Sequence, residues 1–196
     1  MKITVEMERY IKLQRTGYAN SDIQRCYQKD IQKDFDSIKP HLPKELLRSL
    51  DIGCGMAGID LMLYNHYQGK LELHLFDYTA LSDSIYYGFR KEAAVYNSLT
   101  LSADFLKLNG VEKKRIGIHD ASLSFPRKPY DLIISLLSCG FHYPVETYLK
   151  DIKDCLYGVL ILDIRKNTGQ IEVLKRNFKT VETIAEYSKC ERVFVK

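Results

Sequence analysis

The chain has 196 residues, a length that suits one globular domain and is too short for two large ones. Hydrophobic residues make up 45% of it and charged residues 28%, which excludes an intrinsically disordered chain. No run of about 18 apolar residues is present to cross a membrane, and the N-terminus does not resemble a secretory signal. The net charge of +4 is too small to predict nucleic-acid binding, and five dispersed cysteines predict neither a disulfide framework nor a zinc site. We therefore expect a globular, cytoplasmic protein.

The N-terminal part of the chain is predicted to be helical. Residues 1–17 carry scattered apolar positions, which indicate a short helix or an arm. Ser21 and Gln24 have the spacing of a capping box, and Pro40 marks the end of the helix that follows. The apolar positions of this helix recur at steps that line one face, and they are Ile23, Cys26, Tyr27, Ile31, Phe35 and Ile38. We expect residues 1–40 to form a helical extension whose apolar face lids a cleft.

Predicted strands and helices alternate from residue 48 onward. The strands are predicted at residues 48–52, 71–76, 114–119, 130–135, 158–164, 180–187 and 191–195. The helices are predicted at residues 58–68, in two stretches within 81–109, at 145–157 and at 169–177. This alternation implies a parallel sheet with helices on both faces. The last two strands have no helix between them, so we expect them to pair as an antiparallel hairpin.

A glycine-rich loop links the first predicted strand to the following helix. Residues 51–58 read D-I-G-C-G-M-A-G and contain the G-x-G-x-x-G fingerprint. Glycines let the backbone approach a ligand closely, and the start of the helix presents free N–H groups. Asp77 lies 19 residues after Gly58, at the end of the next strand, where a carboxylate can accept hydrogen bonds from ribose hydroxyls. The pattern predicts a site for either a dinucleotide or S-adenosylmethionine.

Four features favour S-adenosylmethionine. Asp51 stands two positions before the first glycine, where its charge would repel a diphosphate and attract an ammonium or sulfonium group. A third predicted strand ends in Asp120, which can accept a hydrogen bond from the adenine amine. The first strand begins only at residue 48, whereas dinucleotide domains often start with it, and the terminal hairpin is unlike a standard dinucleotide fold. An NAD(P)-dependent oxidoreductase is the alternative.

Five segments of the chain resemble sequence motifs of one enzyme family. LLRSLDIGCGMAGIDLML resembles motif I of class I S-adenosylmethionine-dependent methyltransferases, and LELHLFD, IGIHDAS, YDLIISLLSCGFHYP and GVLILDIR follow in that family's order and spacing. The resemblance covers residues 21–196. It implies an α/β, Rossmann-like doubly wound sheet of seven strands in the order 3-2-1-4-5-7-6, with strand 7 antiparallel. Residues 41–196 would form this domain, preceded by the helical extension, with S-adenosyl-L-methionine as cofactor.

The resemblance also implies which residues contact the cofactor. Asp51 would face its amino group, Asp77 its ribose hydroxyls and Asp120 its adenine amine. All the implied contacts lie in the glycine loop or directly at the strand ends. The cofactor-binding residues implied in this way are Asp51, Gly53, Cys54, Gly55, Gly58, Asp77, Tyr78, Asp120, Ala121, Ser135 and Leu136.

The loop after the fourth predicted strand is where we expect the chemistry. His142 is a candidate general base because the unperturbed pKa of histidine lies near neutrality, and Tyr143 can hydrogen-bond to the acceptor or stack on it. The alternative for His142 is a loop histidine that shapes the pocket. The stretch AVYNSLTLSADFLKLNGV and the GFHYP loop together resemble bacterial small-molecule and sugar O-methyltransferases, which implies a small-molecule or glycan acceptor, methylated at oxygen.

We expect no metal, no nucleic-acid partner and no membrane partner. Asp163 has no second acid at the end of strand 4 to share a metal ion with. A non-catalytic protein that binds the cofactor is a third interpretation of the fold. The sequence leaves the acceptor and the oligomeric state open.

Overall fold

A computed structural model of the protein describes residues 1–18, 22–81, 88–91 and 96–196. The strands of its main sheet are β1 (Arg48–Ile52), β2 (Glu72–Asp77), β3 (Ile116–Asp120), β4 (Tyr130–Ser135), β5 (Leu156–Arg165), β6 (Val181–Glu186) and β7 (Cys190–Val195). The α-helices of the described residues are α1 (Val5–Gln14), α2 (Ile23–Ile38), α3 (Gly58–His66), α4 (Leu99–Leu108), α5 (Leu149–Cys155) and α6 (Gln170–Asn177). Short 3₁₀ turns lie at Thr16–Tyr18, Lys39–His41, Lys113–Arg115 and Val145–Thr147.

The main sheet has the strand order 3-2-1-4-5-7-6. The first five strands pair in parallel, and β7 runs antiparallel between β5 and β6. The prediction of a Rossmann-like, doubly wound sheet with an antiparallel seventh strand is therefore confirmed. The strand order reverses between β1 and β4, and in this kind of sheet a crevice opens at that point, beyond the carboxyl ends of the strands.

The sheet is covered by an apolar layer on each face. The central strands are buried on both sides, which explains why they read as continuous apolar runs rather than as an alternation. In β4, for example, Leu132 and Ile134 face the layer that contains α2, α3 and α4, whereas Ile133 faces the opposite layer with α5 and α6. This burial fixes the register of the strands and so the position of the loops at their ends.

The N-terminal helices pack into the first of these layers. Met7 and Ile11 of α1 and Tyr27 and Ile31 of α2 are buried in the same cluster as the inner face of α3. The predicted capping residue Ser21 lies outside the described residues. Asp22 is the observed N-cap, and its side chain accepts a hydrogen bond from the backbone N–H of Arg25 at 3.0 Å.

The second of the two predicted helical stretches is observed as α4, and two short strands precede it. Ala80–Leu81 and Tyr96–Asn97 form a short antiparallel strand pair, and α4 begins only after Ser98, which caps it. The first predicted helical stretch falls largely on residues 82–87 and 92–95, which lie outside the described residues. Hydrogen bonds from the Asn97 side chain to Gly55 and Asp77 hold the backbone extended here, and such distant contacts leave no periodic pattern in the sequence. None of the helices in the described ranges is long and apolar enough to span a bilayer.

Candidate functional site

A cavity of about 240 Å³ opens at the point where the strand order reverses. Its floor is formed by the loops that follow the parallel strands. Tyr27, Ile31 and Asp34 of α2 form one wall, and Gln14 and Arg15 at the end of α1 contribute to the rim. The N-terminal extension is therefore part of the cavity wall.

Most of the predicted site residues meet in this cavity. Those that line it are Asp51, Gly53, Cys54, Gly55, Gly58, Asp77, Tyr78, Ala121, Leu136, His142 and Tyr143. Two predicted residues are not among the described lining residues. The carboxylate of Asp120 accepts a hydrogen bond from the Ser122 N–H at 2.8 Å. Ser135 is fully buried, where its hydroxyl donates to the Ile52 carbonyl at 2.6 Å and accepts from the Cys139 N–H at 2.9 Å.

The glycine loop leaves no room for side chains at its critical positions. Gly53 has φ +74°, and a Cβ atom there would lie 1.9 Å from the Ser138 hydroxyl. Gly55 has φ +50°, and its Cβ would lie 2.9 Å from Gln14 Oε1. The Gly53 N–H donates to the Phe76 carbonyl at 2.7 Å, which fastens the loop to the end of β2. The positive φ favours glycine at both positions, and at Gly53 the contact with Ser138 adds a steric requirement.

Replacing Gly53 by alanine should lower the free energy of unfolding by about 1–3 kcal/mol more than replacing Gly110 does. Gly110 is a matched control, because it also has a positive φ of +94° but no described atom within 4 Å of an added Cβ. The difference isolates the clash with Ser138 from the backbone strain. Urea denaturation of the two variants measures it, and equal losses would show that Ser138 moves aside without cost.

Asp77 organises the corner between the glycine loop and β2. Its Oδ2 accepts hydrogen bonds from the Gly55 N–H at 3.0 Å and from Asn97 Nδ2 at 2.8 Å, and its Oδ1 accepts from the Tyr78 N–H at 2.8 Å. Burial raises the pKa of Asp77 to about 6, while these donors favour the ionised form. At neutral pH the group is therefore mainly a carboxylate, directed at the loop.

Two residues at this corner are not marked by any sequence motif. Asn97 donates to the Gly55 carbonyl at 3.1 Å and accepts from Gln14 Nε2 at 3.2 Å. Gln14 Oε1 in turn accepts from the Met56 N–H at 3.2 Å. An amide side chain both donates and accepts, so this pair connects α1 to the loop and to Asp77.

The loop after β4 brings two titratable side chains to the cavity. His142 Nδ1 lies 3.3 Å from the Gly88 carbonyl, and burial lowers the pKa of the imidazole. The ring is therefore neutral at pH 7, and an Nδ1–H donated to Gly88 leaves the lone pair on Nε2. The Tyr143 hydroxyl lies 3.3 Å from that of Ser138, and burial raises the pKa of the phenol, which stays protonated. The site thus offers a neutral base and a hydroxyl donor.

No family model and no curated protein matches this sequence. Among solved structures, a protein from Nostoc punctiforme PCC 73102 assigned as an O-methyltransferase superposes with a TM-score of 0.61 at 16% identity, over 97% of this chain and 60% of that one. Magnesium protoporphyrin IX methyltransferase from Synechocystis PCC 6803, with bound SAM, gives a TM-score of 0.55 at 14% identity, with both chains covered completely. The chain has the class I methyltransferase fold.

The TM-scores and coverages establish the methyltransferase fold. Sequence identities this low leave the acceptor unassigned. The chain spans 60% of the length of the Nostoc protein, so that protein's full activity does not carry over. Within the methyltransferase fold, the observed cavity occupies the crevice at the carboxyl ends of the strands, where ligands of doubly wound sheets bind.

A third neighbour corrects the prediction about partners. A 16S rRNA methyltransferase from T. thermophilus, in complex with AdoMet and guanosine, superposes with a TM-score of 0.56 at 12% identity, over 85% of this chain and 42% of that one. The exclusion of nucleic acid, and with it the restriction to a small-molecule or glycan acceptor, was therefore wrong. Net charge is a sum over the whole chain, whereas a nucleic acid is held by basic side chains that cluster on one part of the surface. A net charge of +4 therefore does not exclude a nucleic-acid acceptor.

Proposed function

We propose that the protein is an S-adenosylmethionine-dependent methyltransferase. The observation that carries this proposal is the cavity in which Asp51, the glycine loop and Asp77 converge at the switch point of a methyltransferase fold. S-adenosylmethionine supplies a methyl group on a sulfonium, already activated for transfer. The chain's own task would then be to hold the donor and to position the acceptor.

The groups in the cavity fit the chemistry of that cofactor. Asp51 is only 2% exposed and lines the cavity, which suits an ammonium group. The Asp77 carboxylate suits the two ribose hydroxyls, and Tyr78, which is 39% exposed, offers a ring beside the adenine. The backbone at Gly53 and Gly55 carries no Cβ, so a ligand can approach it closely. Asp120 would add a contact to the adenine amine if its carboxylate left the Ser122 N–H.

We place the methyl acceptor beside His142 and Tyr143. A neutral imidazole can take a proton from an acceptor hydroxyl as the new bond forms, so a hydroxyl is the first candidate for the methylated group. The loop that carries His142 is held rigidly: Arg165 Nε donates to the Phe141 carbonyl at 2.7 Å, and its guanidinium lies 4.1 Å from the centre of the Phe141 ring. A rigid loop keeps the base at a fixed position relative to the methyl donor.

Calorimetry with S-adenosylhomocysteine tests the proposal directly. Wild-type protein should bind it, and Asp77→Ala should weaken binding by about 1–3 kcal/mol, because the ribose hydroxyls lose their acceptor. Asp104→Asn, which removes an exposed carboxylate on α4, is the matched control and should bind normally. If wild-type protein fails to bind at high micromolar ligand, the proposal is wrong, and binding of NADH instead would identify an oxidoreductase.

Transfer of label from S-adenosylmethionine to separate pools of small molecules, RNA and protein would find the acceptor class. Label should enter one pool with wild-type protein. A protein that binds the cofactor and labels none of the three pools would be a non-catalytic member of the fold.

A further inference from the structure

A buried carboxyl group behind Asp51 has no role in the proposed function. Asp60 lies in the first turn of α3 and is 0% exposed. Among the described residues, neither of its carboxyl oxygens makes a hydrogen bond of standard geometry. The neighbouring polar group is the Asp51 carboxyl, which is placed to hydrogen-bond with it. Asp51 lines the cavity, whereas Asp60 is not among the described lining residues.

Two buried carboxyls in contact cannot both be ionised without a cation. Burial raises the pKa of Asp60, and burial together with the Asp60 charge raises that of Asp51. The other titratable groups that face the pair bring no positive charge. They are Tyr27 on α2 and Cys54 in the loop, both kept neutral by a raised pKa, and the Asp77 carboxylate on β2.

The arginine that the end of α1 contributes to the rim is paired with another carboxylate. Arg15 lies in an ion pair with Asp34 at 3.2 Å. Within the described part of the chain no salt bridge involves Asp51 or Asp60. A proton is therefore the cation that lets the pair stay buried in the free protein.

We propose that Asp51 and Asp60 share one proton in the free protein and release it to solvent when the ammonium group of the cofactor binds at Asp51. The inference rests on the proposed function. The free pair holds one proton and one negative charge, and the occupied pair holds two negative charges next to the ammonium. One O–H bond is broken and the proton leaves to water. Asp60 is then a positioning residue, because it sets the protonation state of the group that meets the ligand.

The sign of the pH dependence follows from this exchange. Binding must displace the shared proton, so affinity rises with pH over the range in which the free pair holds it. Because one proton is displaced, affinity should rise by about tenfold per pH unit for as long as the free pair holds that proton. In Asp60→Asn the like charge is removed and the amide can donate to Asp51, so the pKa of Asp51 falls and the rise of affinity with pH should be shallower.

Calorimetry in buffers of different ionisation enthalpy measures the released protons. With S-adenosylhomocysteine at pH 6, in MES and in bis-Tris, wild-type protein should release about one proton per ligand bound, and Asp60→Asn measurably less. The ligand's own ammonium group contributes equally to both proteins and cancels in the difference. Asp104→Asn, with one surface carboxylate fewer, should release as much as wild type.

Each outcome separates the inference from the proposed function. Equal proton release by wild type and Asp60→Asn, with both binding the ligand, overturns the shared proton and leaves the cofactor assignment intact. Failure of wild type to bind at any pH overturns the function and the inference together. If Asp60→Asn does not fold, infrared difference spectra of wild type decide: the C=O band of a protonated carboxyl should disappear on binding, and an unchanged band contradicts the proposal.

Discussion

Replacing Arg192 by methionine should lower the free energy of unfolding by about 3–5 kcal/mol. Arg192 is 1% exposed, and its guanidinium donates to both carboxylate oxygens of Asp163, at 2.7 and 2.9 Å. It also donates to Asp34 Oδ1 at 3.0 Å and to the Ser37 hydroxyl at 2.7 Å. Methionine fills much of the same volume but donates nothing, so two buried carboxylates lose their main partner.

The loss should shrink as the pH falls. Burial already raises the pKa of Asp163, and the guanidinium opposes that rise. Without Arg192 the folded-state pKa of Asp163 rises further above its unfolded value, so protonation at acidic pH relieves part of the penalty. Urea denaturation at pH 7 and pH 5 measures both effects.

The control is Arg127→Met, because Arg127 pairs with Asp151 on the surface and its side chain is 64% exposed. Its loss should be about 0–1 kcal/mol. A similarly small loss for Arg192→Met would mean that the buried network adds no net stability.

The network also explains how the cavity wall is held in place. Arg192 on β7 joins Asp163 on β5 to Asp34 on α2, and Asp34 continues to Arg15 on the cavity rim. Helix α2, which forms one wall of the cavity, is therefore attached to the sheet by ion pairs as well as by apolar packing. A variant that breaks the network should therefore weaken cofactor binding even when it remains folded.

The parts of the fold that could be predicted from the sequence are those encoded locally. The apolar runs of the strands, the glycine loop and the acid at the end of β2 each lie within a few consecutive residues. Their alternation along the chain predicts a parallel sheet with a terminal antiparallel hairpin, whereas the strand order was implied by the resemblance to the methyltransferase family.

The missed features depend on residues far apart in the chain. Arg192 contacts a residue 158 positions away, Asn97 reaches back 83 positions to Gln14, and neither contact has a sequence signature. Asp60 looks like an ordinary acidic residue at a helix N-terminus, and only its complete burial beside Asp51 shows otherwise. Ser135 was predicted at the cofactor because it ends β4, yet its hydroxyl is directed into the sheet toward Ile52.

Replacing His142 by asparagine should reduce the turnover number for methyl transfer by about 10²–10⁴-fold, while S-adenosylhomocysteine affinity stays unchanged. Asparagine can still donate to the Gly88 carbonyl and hold the loop, but it has no basic nitrogen at the position of Nε2. The comparison therefore removes proton acceptance and keeps the local structure. The measurement is the rate of label transfer to whichever acceptor pool accepts it, with His66→Asn, an exposed histidine on α3, as control.

The pH profile separates a base from a residue that only shapes the pocket. Because burial lowers the pKa of His142, the imidazole is already neutral at pH 7. The wild-type rate should therefore be constant above pH 7 and fall only below the usual histidine pKa of about 6.5. At saturating S-adenosylmethionine, where the pH dependence of cofactor binding no longer limits the rate, this acid limb should be absent in His142→Asn. A variant that turns over nearly as fast as wild type, with the limb retained, would assign His142 to shaping the loop, since a lone pair that takes the acceptor's proton cannot be removed without loss of rate.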